Sequence, residues 1–213
     1  MQIAAGPVTK TIAAINIVVA VIMLIPGLYE PLTIAGALIP ARFSMDDAVF
    51  GDVGYMLPAW LTPISSAFLH GGILHVALNM LMLLMVGANL ERVLGSKGIA
   101  IIYAAGIFAA ALTQFASDPQ SAVPVVGASG AISALFASHM QLFPRNRPKA
   151  WGAVSGKLIH SLQLLAAWIA FNLMMGFVGP GIGVNIAIWA HIGGFIAGLL
   201  LTWPLLNWRY RNA

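Results

Sequence analysis

The sequence predicts an all-α membrane protein of six transmembrane helices, the fourth of them short. Three observations predict it. The chain is 60% hydrophobic and only 8% charged, with a mean hydropathy of +0.92, far from the composition of soluble domains. Six apolar windows come near the roughly 20 residues that cross a hydrocarbon core. The few charges sort by sign between alternate connections, as membrane topology requires. At 213 residues the chain is one domain's worth of sequence, so 1–213 reads as a single transmembrane domain.

The first span, at about 11–29, follows Lys10 and could pass for a signal peptide. It shows no convincing cleavage site and five more spans follow, so it reads as a retained helix. The longest connection, about 30–66, holds Pro31, Pro40, Pro58 and Pro63, with Trp60 near its end. Prolines and glycines there predict a structured loop of short pieces. The remaining spans fall at about 67–88, 98–116, 129–143, 158–178 and 185–205. Pro144 and Arg145 close the fourth at a membrane boundary.

Charge gives the orientation. Lys10, Arg92, Lys97, Arg145, Arg147, Lys149, Lys157, Arg209 and Arg211 share one side of a six-span arrangement, and only Arg42 falls on the other. Glu30, Asp46, Asp47, Asp52 and Asp118 lie with Arg42, and Glu91 with the basic set. The basic side is expected to be cytoplasmic, with both termini inside, the loop 30–66 outside, and the lipid bilayer as surroundings. The basic pI of about 9.8 therefore reflects topology, and no nucleic-acid partner is expected.

Several chemistries are set aside. The absence of cysteine removes disulfides, thiol nucleophiles and thiolate metal sites. No HExxH motif is present, which argues against a zinc protease of that kind. Phe50-Gly51-Asp52 lies in a loop and no span offers a second aspartate, so an intramembrane aspartyl site is rejected. No metal or cofactor is called for.

What remains is a set of polar residues at one depth. Fifteen residues of the fourth span rise about 22 Å against a core of about 30 Å. Ser129 then lies roughly 8 Å below the outer boundary, and the loop 117–128 must dip into protein to reach it. His191 is expected roughly 9 Å down the sixth span and His75 roughly 12 Å down the second. Asn79 sits one turn below His75 on the same face. Gly130 with Ala134, and Gly194 with Gly198, form small-xxx-small pairs that let helices pack closely. Ser129 can then meet His191.

A serine hydroxyl needs a base to become a nucleophile, and His191 is the candidate. No Asp or Glu lies at this depth, so a Ser-His dyad is the most the residues support. Acyl transfer also needs donors for an oxyanion: the Ser129 backbone N–H, His75 and the Asn79 amide are candidates. Ordinary readings exist for the others. His139 and His160 read as interfacial residues, the methionines as packing residues, and His70 as a residue that shapes the site. A lone membrane serine or histidine more often serves packing than catalysis.

Taken together, these residues resemble the rhomboid family of intramembrane serine proteases, over about Trp60 to Leu201 and in the helix order of its bacterial six-helix form. Gly127-Ala128-Ser129-Gly130 is similar to its nucleophile motif. Ala190-His191-Ile192-Gly193-Gly194 with Gly198 is similar to its base motif. His70, His75, Asn79 and Met80 match its HxxxxHxxxNM pattern, and Leu90-Glu91-Arg92 through Gly95 resembles the turn that follows. The resemblance implies a rhomboid-like bundle, Ser129 as nucleophile, His191 as base, His75 and Asn79 as oxyanion stabilisers, and transmembrane proteins as substrates. The expected setting is a bacterial inner membrane, with an organellar membrane as the alternative. Two positions depart from the pattern. Trp60 is followed by Leu61 and not by the arginine of the family's Trp-Arg pair, so the first loop is expected to be anchored differently in the outer headgroups; Ser133 stands where some members carry an aromatic residue, so the packing that holds His191 is expected to differ. The competing readings are a non-catalytic rhomboid-like factor that binds transmembrane helices, and a small transporter or b-type haem protein using the membrane histidines.

Overall fold

The computed structural model describes residues 5–51, 54–146, 148–182 and 186–211. The described residues form seven α-helices, several short 3₁₀ turns and no strand. The helices are α1 (Pro7–Met23), α2 (Tyr29–Gly36), α3 (Thr62–Ser66), α4 (Ile73–Ser117), α5 (Ser129–Leu142), α6 (Gly156–Val178) and α7 (Ile188–Arg209). Three of them, α4, α6 and α7, are long and apolar enough to cross a membrane, and α1 is a shorter apolar helix.

α4 merges what reads in sequence as two spans. Forty-five straight helical residues would run about 68 Å, more than twice the hydrocarbon thickness. Gly95 breaks the run with φ 74° and ψ 168°, a conformation open to glycine and strained for other residues. The expected connection 89–97 thus shrinks to one non-helical residue. The two arms, 73–94 and 96–117, contribute to one core, with Leu83 and Leu90 from the first and Ile99 and Ile102 from the second.

Other boundaries shift as well. α1 stops at Met23 and not 29, and a turn at Gly27 (φ 83°) leads into α2. The second span begins its α-helix at Ile73 and not at 67, which leaves His70 in the turn between α3 and α4. His75 is therefore in the first turn of α4. The expected start of the sixth span near Asn185 lies outside the described residues, as do Asp52 and Arg147.

Burial is inverted relative to a soluble bundle. Asn16, Thr9, Asn172, Ser138 and Thr202 are completely buried, while Val18, Val21, Leu74, Phe177 and Leu200 are exposed. Polar side chains inside and apolar ones outside suit a lipid environment, where polar groups face the bundle interior. Glu91 shows the same logic at the end of α1. It accepts from the backbone N–H groups of Val8 and Thr9, each at 2.9 Å, and from the hydroxyls of Thr9 at 2.7 Å and Ser96 at 2.8 Å. A carboxylate there satisfies the free amides of the helix N-terminus and complements its dipole.

α5 packs against both α4 and α7, and small residues permit the approach. A Cβ on Gly106 of α4 would meet Ala134 at 2.8 Å and the Ala131 backbone at 2.9 Å. On α7, Gly194 lies against the Gly130 carbonyl and Gly198 against the Ala134 carbonyl. The loop before α5 is tied down at three points. Leu38 and Val125 exchange backbone hydrogen bonds of 3.1 and 2.9 Å, Ala41 donates to the Ser121 carbonyl at 3.0 Å, and Gly127 donates to the Ser66 carbonyl at 2.8 Å.

Candidate active site

Ser129 is the first residue of α5, where the fixed loop meets the helix. Its position gives the hydroxyl a defined direction and leaves nearby backbone N–H groups without intrahelical partners. His191 lies in the first turn of α7, and the Gly130–Gly194 contact brings the two helix ends together. Ser129 Oγ is 2.7 Å from His191 Nε2. The two residues are 62 positions apart in sequence, and the hydrogen bond sets a hydroxyl against an imidazole, a pairing from which a base can activate a nucleophile.

His191 has a second partner that sequence reasoning missed. Its Nδ1 is 2.8 Å from Asn172 Oδ1 on α6. Asn172 is fully buried and its Nδ2 donates to the Trp168 carbonyl at 2.9 Å. The search for a third member considered carboxylates, and the residue present is an amide. One signal was available: Asn172 is a polar residue inside an apolar span, the same kind of signal that marked Asn79.

His75 lies against the turn that carries the serine. A Cβ on Gly127 would come within 2.8 Å of both Cε1 and Nε2 of His75 and 3.7 Å of Ser129 Oγ. Gly127 also has φ +123°, so both its space and its backbone require glycine. The Gly71 backbone N–H donates to His75 Nδ1 at 3.2 Å. Nδ1 is therefore the acceptor, and the proton of a neutral ring sits on Nε2, the edge that faces Gly127. Asn79 is one turn further along, buried, and donates through Nδ2 to the His75 carbonyl at 3.0 Å. Its amide keeps a second N–H.

His70 is buried, with its ring centroid 5.0 Å from that of His75 in an edge-to-face arrangement. It shapes the wall behind His75. Gly130 packs against Ala110 of α4 and the Ala190 carbonyl of α7. Ser133 donates to the Ser129 carbonyl at 2.7 Å, an ordinary bond along its own helix. His139 and His160 have other surroundings: His139 stacks on Phe143, and His160 Nε2 is 3.3 Å from the Met140 carbonyl.

Residues 58–208 match the Rhomboid domain family model. RHOMBOID-like protein 5 of Arabidopsis thaliana is 34% identical over 143 residues, which cover 67% of this chain and 43% of that protein. Human Rhomboid-related protein 3 is 41% identical over 151 residues, 63% of this chain and 33% of that protein. YdcA of Bacillus subtilis (strain 168) is 31% identical over 169 residues, 78% of each chain. The chain spans less than half the length of the plant and human relatives and most of the length of the bacterial one. Apolar helices of spanning length mark a multi-pass integral membrane protein, and with the domain match covering most of its residues, the chain belongs to the rhomboid family.

Proposed function

We propose that this protein is an intramembrane serine endopeptidase that cleaves transmembrane segments of other membrane proteins. The observation that carries the reading is the 2.7 Å hydrogen bond between Ser129 Oγ and His191 Nε2 at the meeting point of two glycine-rich motifs.

The chemistry follows from that bond. His191 Nε2 takes the Ser129 proton as Oγ attacks the scissile carbonyl carbon. The carbonyl oxygen becomes an oxyanion. The Ser129 backbone N–H, His75 Nε2–H and the free Asn79 N–H are the donors proposed to receive it. The imidazolium then returns its proton to the leaving amine, and the C–N bond breaks to leave an acyl-serine. Water, deprotonated by the same nitrogen, attacks the ester and frees Ser129.

Six membrane passages fit the two arms of α4 together with α1, α5, α6 and α7. Segregation of the basic residues supports both termini on the cytoplasmic side and the loop 30–66 outside, and a bacterial inner membrane is the proposed setting. The dyad lies near the outer leaflet, so the scissile bond lies near the outer end of the substrate's segment. A small residue just before the cut accords with the family likeness.

Labelling with a serine-directed fluorophosphonate tests the reading. Wild-type protein is expected to label and to cleave a transmembrane substrate. Ser129→Ala and His191→Ala are expected to do neither while keeping a folded bundle. Full cleavage by either variant rejects the dyad, and a wild type that binds transmembrane helices without cleaving them identifies a non-catalytic factor.

A further inference from the structure

We infer that Asn172 is the positioning residue of the base, locking His191 in one tautomer from α6. This rests on the Ser129–His191 reading and adds a third member to it. Only two side chains of α6 are buried, Leu164 and Asn172. The rest of the helix is partly or fully exposed. An amide at a buried position of a membrane helix is costly unless both its ends are bonded, and both ends of Asn172 are.

The orientation of the amide follows from its neighbours. The Trp168 carbonyl can only accept, so the atom 2.9 Å from it must be the NH₂ group. Oδ1 then faces His191 Nδ1 at 2.8 Å and can only accept. The ring must place its proton on Nδ1. Nε2 is left with a lone pair directed at Ser129 Oγ, which is the form a general base requires. The alternative tautomer would lose the Asn172 bond and present an N–H to the serine.

Trp168 completes the support. Its indole N–H donates to the His191 carbonyl at 3.2 Å. Its ring stacks on Phe195, with centroids 5.0 Å apart and planes 13° apart. Trp168 and Asn172 are one turn apart on α6, and His191 and Phe195 are one turn apart on α7. The two pairs form a clamp that fixes the imidazole from the side of α6. This accounts for Ser133 on the other side: with the ring held by Asn172 and the backbone by Trp168, α5 need not supply an aromatic residue.

The test compares Asn172→Ala and Asn172→Asp with wild type in detergent. It reads kcat, KM, the pH dependence of kcat, and the ¹⁵N signals of His191. The other imidazole close enough to act on His191 is His75, so His75 is kept intact in all variants. Asn172→Ala is expected to lower kcat on the order of 10²-fold or more with little change in KM, and to mix the His191 tautomers. Asn172→Asp keeps the acceptor towards Nδ1, gives up the donor to the Trp168 carbonyl and adds a negative charge that favours imidazolium. It is expected to recover part of the turnover lost in Asn172→Ala and to move the acidic limb of kcat to higher pH. An Asn172→Ala enzyme with wild-type kcat and a single Nδ1–H tautomer overturns the inference while leaving the dyad intact. So does an Asn172→Asp enzyme with neither recovery nor a shifted limb. Loss of fluorophosphonate labelling in the wild type would instead reject the protease reading itself.

Discussion

Gly194 of α7 lies with its α-carbon against the backbone carbonyl of Gly130 in α5. The helices that carry His191 and Ser129 thus touch backbone to backbone, one residue after Ser129 and three after His191. Four residues on, Gly198 makes the same kind of contact with the Ala134 carbonyl.

A methyl group at Gly194 cannot fit without separating the helices. Gly194→Ala is expected to lengthen the Ser129–His191 hydrogen bond and reduce kcat about 10²-fold, the usual cost of a misplacement near 1 Å. It is also expected to destabilise the bundle by about 1–3 kcal/mol, as overpacking does. Cleavage rates and thermal unfolding in detergent check both. Wild-type turnover in Gly194→Ala would show that the contact does not set the dyad's geometry.

His75 and Asn79 are both expected to act on turnover. The proton-bearing edge of His75 faces the serine turn, whereas Asn79 already spends one N–H on the His75 carbonyl at 3.0 Å. His75→Ala should lower kcat about 10²–10³-fold, the cost of one lost oxyanion donor. Asn79→Ala removes a donor and its bond to the His75 backbone carbonyl one turn earlier. It should lower kcat by a comparable factor with KM nearly constant. A rise in KM alone would give Asn79 a purely structural role.

The outer loop should show a pH-dependent anchor. Arg42 has a fully buried side chain that donates to Asp47 through Nε at 2.7 Å and Nη2 at 3.1 Å. It also donates to the carbonyls of Ala35 at 3.2 Å and Leu57 at 2.6 Å. The hydrogen bonds from Arg42 hold the Asp47 pKa below its ordinary value of 3.8. A depressed carboxylate stabilises the fold above its unfolded pKa, and that contribution disappears as pH falls through the folded value. Asp47 is 40% exposed, so Asp47→Asn should cost only about 1 kcal/mol or less at pH 7. Its melting temperature should converge with the wild type's as the pH falls through the depressed folded pKa of Asp47, below 3.8. Arg42→Ala also strands two carbonyls and should cost about 1–3 kcal/mol. Equal melting of Arg42→Ala and wild type at pH 7 would remove the anchor.

Much of this site was legible in sequence because its parts are local. Gly127, Ser129 and Gly130 mark a turn entering a helix; Gly194 and Gly198 mark a contact face; His75 and Asn79 share a face by spacing alone. What stayed hidden depends on relations between distant segments. Asn172 has no motif around it, and its role follows from which helix α6 leans on. Arg42 likewise has no motif around it, yet it ties Ala35, Asp47 and Leu57 together across the loop 30–66. The break at Gly95 falls inside the expected connection 89–97, but nothing in the sequence shows that the connection narrows to a single non-helical residue. Residues 67–72 are apolar enough to read as helix, yet their chain turns between α3 and α4.

Substrate admission gives the last prediction. A transmembrane segment must reach Ser129 from the lipid, so one wall of the bundle has to part. α6 is the candidate wall: it is the least buried of the three long apolar helices, and Phe171, Met174 and Phe177 on its outer half are exposed. The glycine-rich stretch after it begins inside the helix, with Gly176, and continues as a 3₁₀ turn over Gly179–Ile182; Gly183 lies outside the described residues. Movement of α6 at the level of Asn172 would stretch its bond to His191, so opening should be confined to the turns beyond Asn172. Cysteines introduced at Phe177 and at Leu74 of α4, in a chain with no native cysteine, allow the outer ends to be joined by bifunctional reagents of graded length. The shortest bridges should suppress cleavage of a transmembrane substrate while fluorophosphonate still labels Ser129, because a small reagent needs no lateral opening. The longest bridges should restore cleavage. Undiminished cleavage with the shortest bridge in place would put substrate admission at another wall.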